Sequence, residues 1–269
     1  MATPTATAVF ERDGDLFVPT ELARGPWDPN ACHGGPSAAL LASALDGLPS
    51  EAPVVLARLT VELLRPVPMT PLRLEVRPAA TGRKVQRIEA SVFAGEREVA
   101  RATGVRLRQL PAGQLDSAVA PTDAPPPRRD PLPPPPDIDT WDVNFGRAME
   151  WRGRPPHSGE VGPQAVWFRL TVPLIAGEET TPWMRMAAAA DFGNGISTEL
   201  SWETHTFINP DLTIYLHRLP VGEWVCLDAR TWAQPNGIAV AMSTLYDDTG
   251  AIGLAMQSVL LEPRSPAPA

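Results

Sequence analysis

Lysine occurs once, at Lys84, so arginine carries nearly all the positive charge of this 269-residue chain. Basic residues number 23 against 31 acidic ones, and the net charge is −8. A nucleic-acid binder needs a basic face, so the balance argues against that class. Cysteine is scarce, with Cys32 and Cys226 at positions that imply no disulfide framework. No apolar run approaches the length of a membrane span, and the N-terminus lacks a charged start followed by a continuous apolar stretch. A cytoplasmic protein with neither membrane nor nucleic-acid partner is the default expectation. Catalytic signatures are missing too. There is no G-x-S-x-G elbow and no P-loop. Gly193-Asn194-Gly195 begins a G-x-G but lacks the third glycine and follows a helical stretch. His33, His157, His205 and His217 show no ligand spacing and no cysteine partner, so no metal is expected.

What the chain does have is a repeat at a constant offset of about 153 residues. Leu59 falls on Leu212, Thr60 on Thr213, Leu63 on Leu216, Arg65 on Arg218, Leu74 on Leu227, Arg77 on Arg230 and Leu107 on Leu260. Residue type also holds, as at Val61 and Ile214 or Phe93 and Tyr246. The register stays unbroken through four strand-like segments. Two copies of one fold in a single polypeptide are therefore expected, with a site at the seam of a pseudo-twofold pair.

Each copy reads as a helix followed by strands. Gly34-Gly35-Pro36 precedes a helix over Ser37–Leu48, whose Leu40, Leu41, Ala44, Leu45 and Leu48 recur at helical spacing. Strands are expected at Val54–Arg65, Leu72–Val76, Lys84–Phe93 and Val99–Leu107. The second copy has a short helix over Trp183–Ala190, then strands at Thr204–Leu216, Trp224–Trp232, Ile238–Tyr246 and Ile252–Leu260. A lone helix before a meander of antiparallel strands is an α+β arrangement, with the sheet wrapping the helix. The expected domains are residues 1–110 and 140–265. Between them residues 111–139, with two runs of prolines, read as a semi-rigid strap.

Three features could carry chemistry. His33-Gly34-Gly35-Pro36 is a glycine-flanked helix start, where bare N–H groups and the helix dipole suit a carbonyl oxygen that becomes an oxyanion, or a phosphate. The alternative is an ordinary glycine-rich turn. Asp191 closes a run of alanines, either as a functional carboxylate or as a plain helix-end one. Gln257 interrupts the apolar pattern of its strand, either buried and in need of partners or facing solvent. Cys32 beside His33 invites a thiol nucleophile, but adjacent residues on a turn rarely aim at one another. The tryptophans cluster in the second copy and read first as core.

The order helix then strands, twice over, with a Gly-Gly helix start, resembles the double hotdog fold of the type II acyl-CoA thioesterases. Cys32 to Leu41 resembles that family's first central helix. Leu64-Arg65-Pro66 resembles its strand signature, with His217-Arg218 as the second-half counterpart. The resemblance implies hydrolysis of a fatty or related acyl-CoA to the free acid and CoA, with no metal or redox cofactor. Its catalytic trio falls on Asp191, Asn209 and Gln257, while substrate binding at His33, Gly34 and Gly35 is expected from the helix start itself. Asn209 departs from the family's pattern, which has a Thr or Ser hydroxyl there. A non-catalytic acyl-CoA or lipid-binding hotdog protein is the alternative, and a hydratase would need a His–Asp arrangement at the pocket. Copy one has Ala38 where Asp191 would fall, so a single active seam site is expected. Self-association into a homo-oligomer is left open.

Overall fold

The computed structural model describes residues 6–111, 113–115, 125–129, 144–153 and 161–264. Trp141, His157 and most of the Pro-rich connector lie outside the described residues.

The first half opens with a hairpin, β1 (Phe10–Asp13) and β2 (Leu16–Pro19), turning at Gly14 with φ of 58°. Helix α1 (Gly34–Asp46) follows, then β3 (Val54–Leu63), β4 (Leu72–Thr81), β5 (Val85–Ala94) and β6 (Arg97–Arg108). The second half contains α2 (Asn144–Arg147), β7 (Met149–Arg152), β8 (Gln164–Leu170), α3 (Pro182–Ala190) and α4 (Gly193–Ile196). It continues with β9 (His205–Ile208), β10 (Asp211–Leu216), β11 (Val225–Ala233), β12 (Ile238–Asp247) and β13 (Gly250–Pro263). All strands join one antiparallel sheet in the order β1-β2-β4-β5-β6-β3-β10-β13-β12-β11-β8-β7, with β9 beside β13. The sheet curls round α1 and α3, whose Leu40, Leu41, Leu45, Trp183 and Met186 are fully buried. This is the expected α+β double hotdog.

The 153-residue register becomes a pseudo-twofold axis. β3 and β10 pair antiparallel with Thr60 directly opposite Thr213. Their hydroxyls lie 3.3 Å apart, 153 positions separated in sequence. The central helices meet at the same spacing: a Cβ on Gly35 would stand 2.6 Å from the Ala188 carbonyl oxygen. Glycine on one side and four successive alanines on the other are what let the two backbones touch.

The structure corrects several boundaries. The β1–β2 hairpin and β7–β8 were not expected, because short edge strands carry little periodicity. α1 begins at Gly34 and ends at Asp46, so Leu48 lies beyond it. The strand expected over Thr204–Leu216 is two, broken at Asn209-Pro210. Proline cannot donate to a ladder and restricts the residue before it. Copy one has a milder form of the same break, a register shift between Leu56 and Arg58. The described piece of the connector lies on the second half. There Trp167 Nε1 donates to the Pro127 carbonyl at 3.0 Å, and the Arg129 guanidinium sits 4.8 Å from the Trp224 ring centre.

Candidate active site

Two chain breaks aim the site. α3 ends at Ala190, and Asp191 caps it with φ −70° and ψ −14°. The Phe192 N–H then turns back to the Ala189 carbonyl at 3.0 Å before α4 starts. This kink directs the Asp191 side chain across the seam at the start of α1. The second break, at Asn209-Pro210, turns Asn209 toward the same carboxylate.

Asp191 is 5 % exposed, and donors surround it. Asn209 Nδ2 donates to Oδ1 at 2.7 Å. Gln257 Nε2 donates to Oδ1 at 3.3 Å and to the Asp191 carbonyl at 3.2 Å, while its Oε1 accepts the Asn194 N–H at 3.0 Å. His33 Nδ1 lies 2.9 Å from Oδ2 and 3.0 Å from the Gly35 nitrogen. One ring nitrogen cannot both accept the Gly35 proton and donate to Asp191. An ionised carboxylate only accepts, so Nδ1 carries the proton and the Gly35 N–H serves the carboxylate as well. Burial alone would raise the Asp191 carboxyl, but the attraction of His33 and the hydrogen bonds from His33, Asn209 and Gly35 hold it below its ordinary range.

The pseudo-twofold mate of this site is empty of chemistry. At the 153-residue offset Asp191 becomes Ala38, Asn209 becomes Leu56, Gln257 becomes Gly104 and His33 becomes Met186. Ala38, Leu56 and Met186 are buried at 1 %, 0 % and 0 %. A Cβ on Gly104 would stand 2.9 Å from Leu56 Cδ1, so the space of one polar network is filled by apolar packing.

A cavity of about 260 Å³ opens onto the carboxylate. His33, Gly34, Asp191 and Asn209 line it, and Gly35 and Gln257 stand behind. No partner takes the Gly34 N–H among the described residues, whereas the Gly35 N–H is engaged. The walls are aromatic. Trp27 stacks on Trp202 at 5.0 Å and both meet Phe207 edge-on, while Phe192 lies 4.7 Å from the His33 ring. Trp27, Trp151 and Trp202 thus face the cavity, and Trp167 and Trp183 are core. Cys32 also reaches the cavity, but burial pushes its thiol up to about 12, which disfavours the thiolate a nucleophile needs.

All three trio residues and all three helix-start residues therefore gather at one seam. The direct His33–Asp191 contact was missed from sequence, where His33 was assigned to substrate alone. Gln257 holds Asp191 from behind. Its loss would leave Oδ1 with Asn209 as its one side-chain donor and orphan the Asn194 N–H, so Gln257→Ala is expected to lower kcat roughly tenfold or more with a smaller change in KM. Steady-state kinetics on folded variant checks this.

The family described as "Acyl-CoA thioesterase N-terminal domain" matches residues 23–107, and that described as "Acyl-CoA thioesterase C-terminal domain" matches residues 121–261. No curated protein matches the chain. Among solved structures it is similar to a putative thioesterase from Novosphingobium aromaticivorans, at 21 % identity and TM-score 0.67, covering 96 % of this chain and 100 % of that one. It is also similar to a hot dog fold protein from Alicyclobacillus acidocaldarius, at 17 % identity and TM-score 0.69, covering 97 % of each chain. An acyl-CoA thioesterase II from Mycobacterium marinum is similar at 18 % identity and TM-score 0.64, with 93 % of this chain and 98 % of that one covered.

Proposed function

The chain belongs to the acyl-CoA thioesterase family and is a thioester hydrolase, and from that premise we infer that it hydrolyses a fatty or related acyl-CoA at the single seam site round Asp191. The observation that carries this is an ionised, buried carboxylate at a cavity, tied to His33, Asn209 and Gln257. Asp191, paired with His33, takes a proton from a water as its oxygen adds to the thioester carbonyl carbon. The Gly34 N–H, at the positive end of α1, stabilises the oxygen that gains charge; one such donor is worth about 3 kcal/mol in comparable sites. The C–S bond then breaks, the acid leaves, CoA departs as the thiolate, a leaving group that needs little help, and the proton held by Asp191 passes to that sulfur or to solvent, which restores the base. Asn209 and Gln257 keep the carboxylate aimed. The units that build the site are residues 1–110 and 140–265, joined by 111–139.

The test is thiol release from short, medium, long and aromatic acyl-CoAs. Release of one thiol per acid formed is expected, and binding without turnover across the panel would favour the acyl-CoA-binding reading. The His33–Asp191 pair is the arrangement a hydratase would also need, so an enoyl-CoA belongs in the panel. Water addition without thiol release would favour that class. Asn209→Thr keeps an oxygen-borne proton beside Oδ1 but shortens the reach. It is expected to retain measurable turnover, whereas Asn209→Ala, which removes the donor, is expected to lose roughly tenfold in kcat.

A further inference from the structure

The duplication leaves one arginine without the carboxylate its counterpart holds. Arg218, two residues past β10, is clamped by Asp247, the last residue of β12: Nη2 donates to Oδ1 at 2.8 Å and Nη1 to Oδ2. The Val221 N–H and the N–H and hydroxyl of Thr249 complete the shell of this fully buried Asp247. Arg65 has the same place, two residues past β3, but β5 ends in Ala94. Among the described residues no carboxylate lies within ion-pair distance of Arg65, and nothing accepts a hydrogen bond from it. It is half-buried and faces the cavity, and among the described residues the lining includes no other arginine or lysine. Besides Asp191, the acidic residue on the described lining is Asp28, which is exposed, with Oδ1 occupied by the Asn30 N–H at 2.8 Å.

We propose that Arg65 is the anion anchor of this cavity and binds a phosphate of the CoA portion while the thioester lies at Asp191. The proposal rests on the acyl-CoA reading and names the group that reads the carrier. CoA is a polyanion, and a protein of net charge −8 repels it unless a local cation compensates. A guanidinium presents a planar fork that matches phosphate oxygens and stays charged at any working pH. Ala94 in the place of a carboxylate is what leaves that fork free in copy one, while Arg218 in copy two is held by Asp247.

The experiment compares wild type, Arg65→Ala and Arg65→Lys on one acyl group carried by CoA and by N-acetylcysteamine, which has no phosphate. Arg65→Ala is expected to cut the kcat/KM preference for the CoA carrier by about tenfold or more, chiefly through KM, with Arg65→Lys in between. Calorimetric binding of CoA should weaken in step, and that of pantetheine should not. As a structural control, Arg218→Ala should lower the melting temperature, because it strands a buried carboxylate, while Arg65→Ala should not. Equal losses on both carriers, or none on either, would overturn the proposal. A loss confined to acyl groups ending in a carboxylate, on either carrier, would overturn it in favour of an acyl-end anion. Wild-type protein that releases no thiol from any acyl-CoA would defeat the thioesterase reading alone, since the calorimetric contrast would still decide Arg65.

Discussion

Asp191→Ala is expected to lower kcat for thioester hydrolysis by roughly 10² to 10⁴, the range for removal of a well-placed base. The fold should persist, because the backbone of Asp191, not its side chain, caps α3, and the side chain fills no apolar core. Direction of titration sharpens the expectation. Burial pushes the Asp191 carboxyl up, but His33, Asn209 and the Gly35 N–H together hold it below the ordinary value of 3.8. A group with a depressed folded value adds stability that is complete above the unfolded value and fades as pH falls through the folded one. The carboxylate is therefore ionised across the neutral range, and no loss of rate above about pH 5 should trace to it. Removing Asn209 or His33 leaves the burial penalty with less opposition, so Asn209→Ala and His33→Ala should move any acid limb of kcat/KM to higher pH. Thiol release measured against pH checks both points. Full activity in Asp191→Ala would sink the mechanism while leaving the fold untouched.

The duplication was legible because sheet pairing preserves register. A residue and its mate must bury the same face, so Leu59 and Leu212 stay apolar even where little identity survives, and Thr60 and Thr213 can meet on the axis. Family likeness pointed to Asp191, Asn209 and Gln257, which the fold brings together, and two of them also broke a local pattern: a carboxylate after a run of alanines and an amide in an apolar strand. The His33–Asp191 contact was not legible, since the pair is 158 positions apart and meets only because two helices cross at Gly35 and Ala188. Nor was Gln257's place behind the carboxylate, because alternation tells which face a residue is on but not what it touches there. The apolar mate of the site was half-visible. Ala38 opposite Asp191 could be read from the offset, but Leu56, Gly104 and Met186 gain meaning only once the contacts are known.

Gly34→Ala and Gly35→Ala are expected to fail in different ways, and the contrast tests the seam. On helix propensity alone either change should stabilise α1 by about 1 kcal/mol. Geometry reverses the sign. A Cβ on Gly34 would stand 2.6 Å from Asp191 Oδ2 and 2.9 Å from Oδ1. The carboxylate can retreat only by leaving its donors, since Asn209 is already at 2.7 Å on the other oxygen. Gly34→Ala should therefore displace the base and cost roughly 10²-fold in kcat, the scale of a 1 Å misplacement. Its effect on stability should be small, because the obstructing atoms belong to one side chain. On Gly35 the obstruction is backbone and ring: the Ala188 carbonyl at 2.6 Å and Phe145 Cε1 at 2.8 Å. Neither can step aside, so α1 and α3 must separate along the seam that builds the core. A cost of about 1–3 kcal/mol is expected, which lowers the melting temperature by several degrees for a chain of this size. Thermal melting and single-substrate kinetics on the two variants give the answer. If both lose stability alike and activity merely follows the folded fraction, Gly34 is a packing glycine and the close approach of α1 to Asp191 has no catalytic purpose.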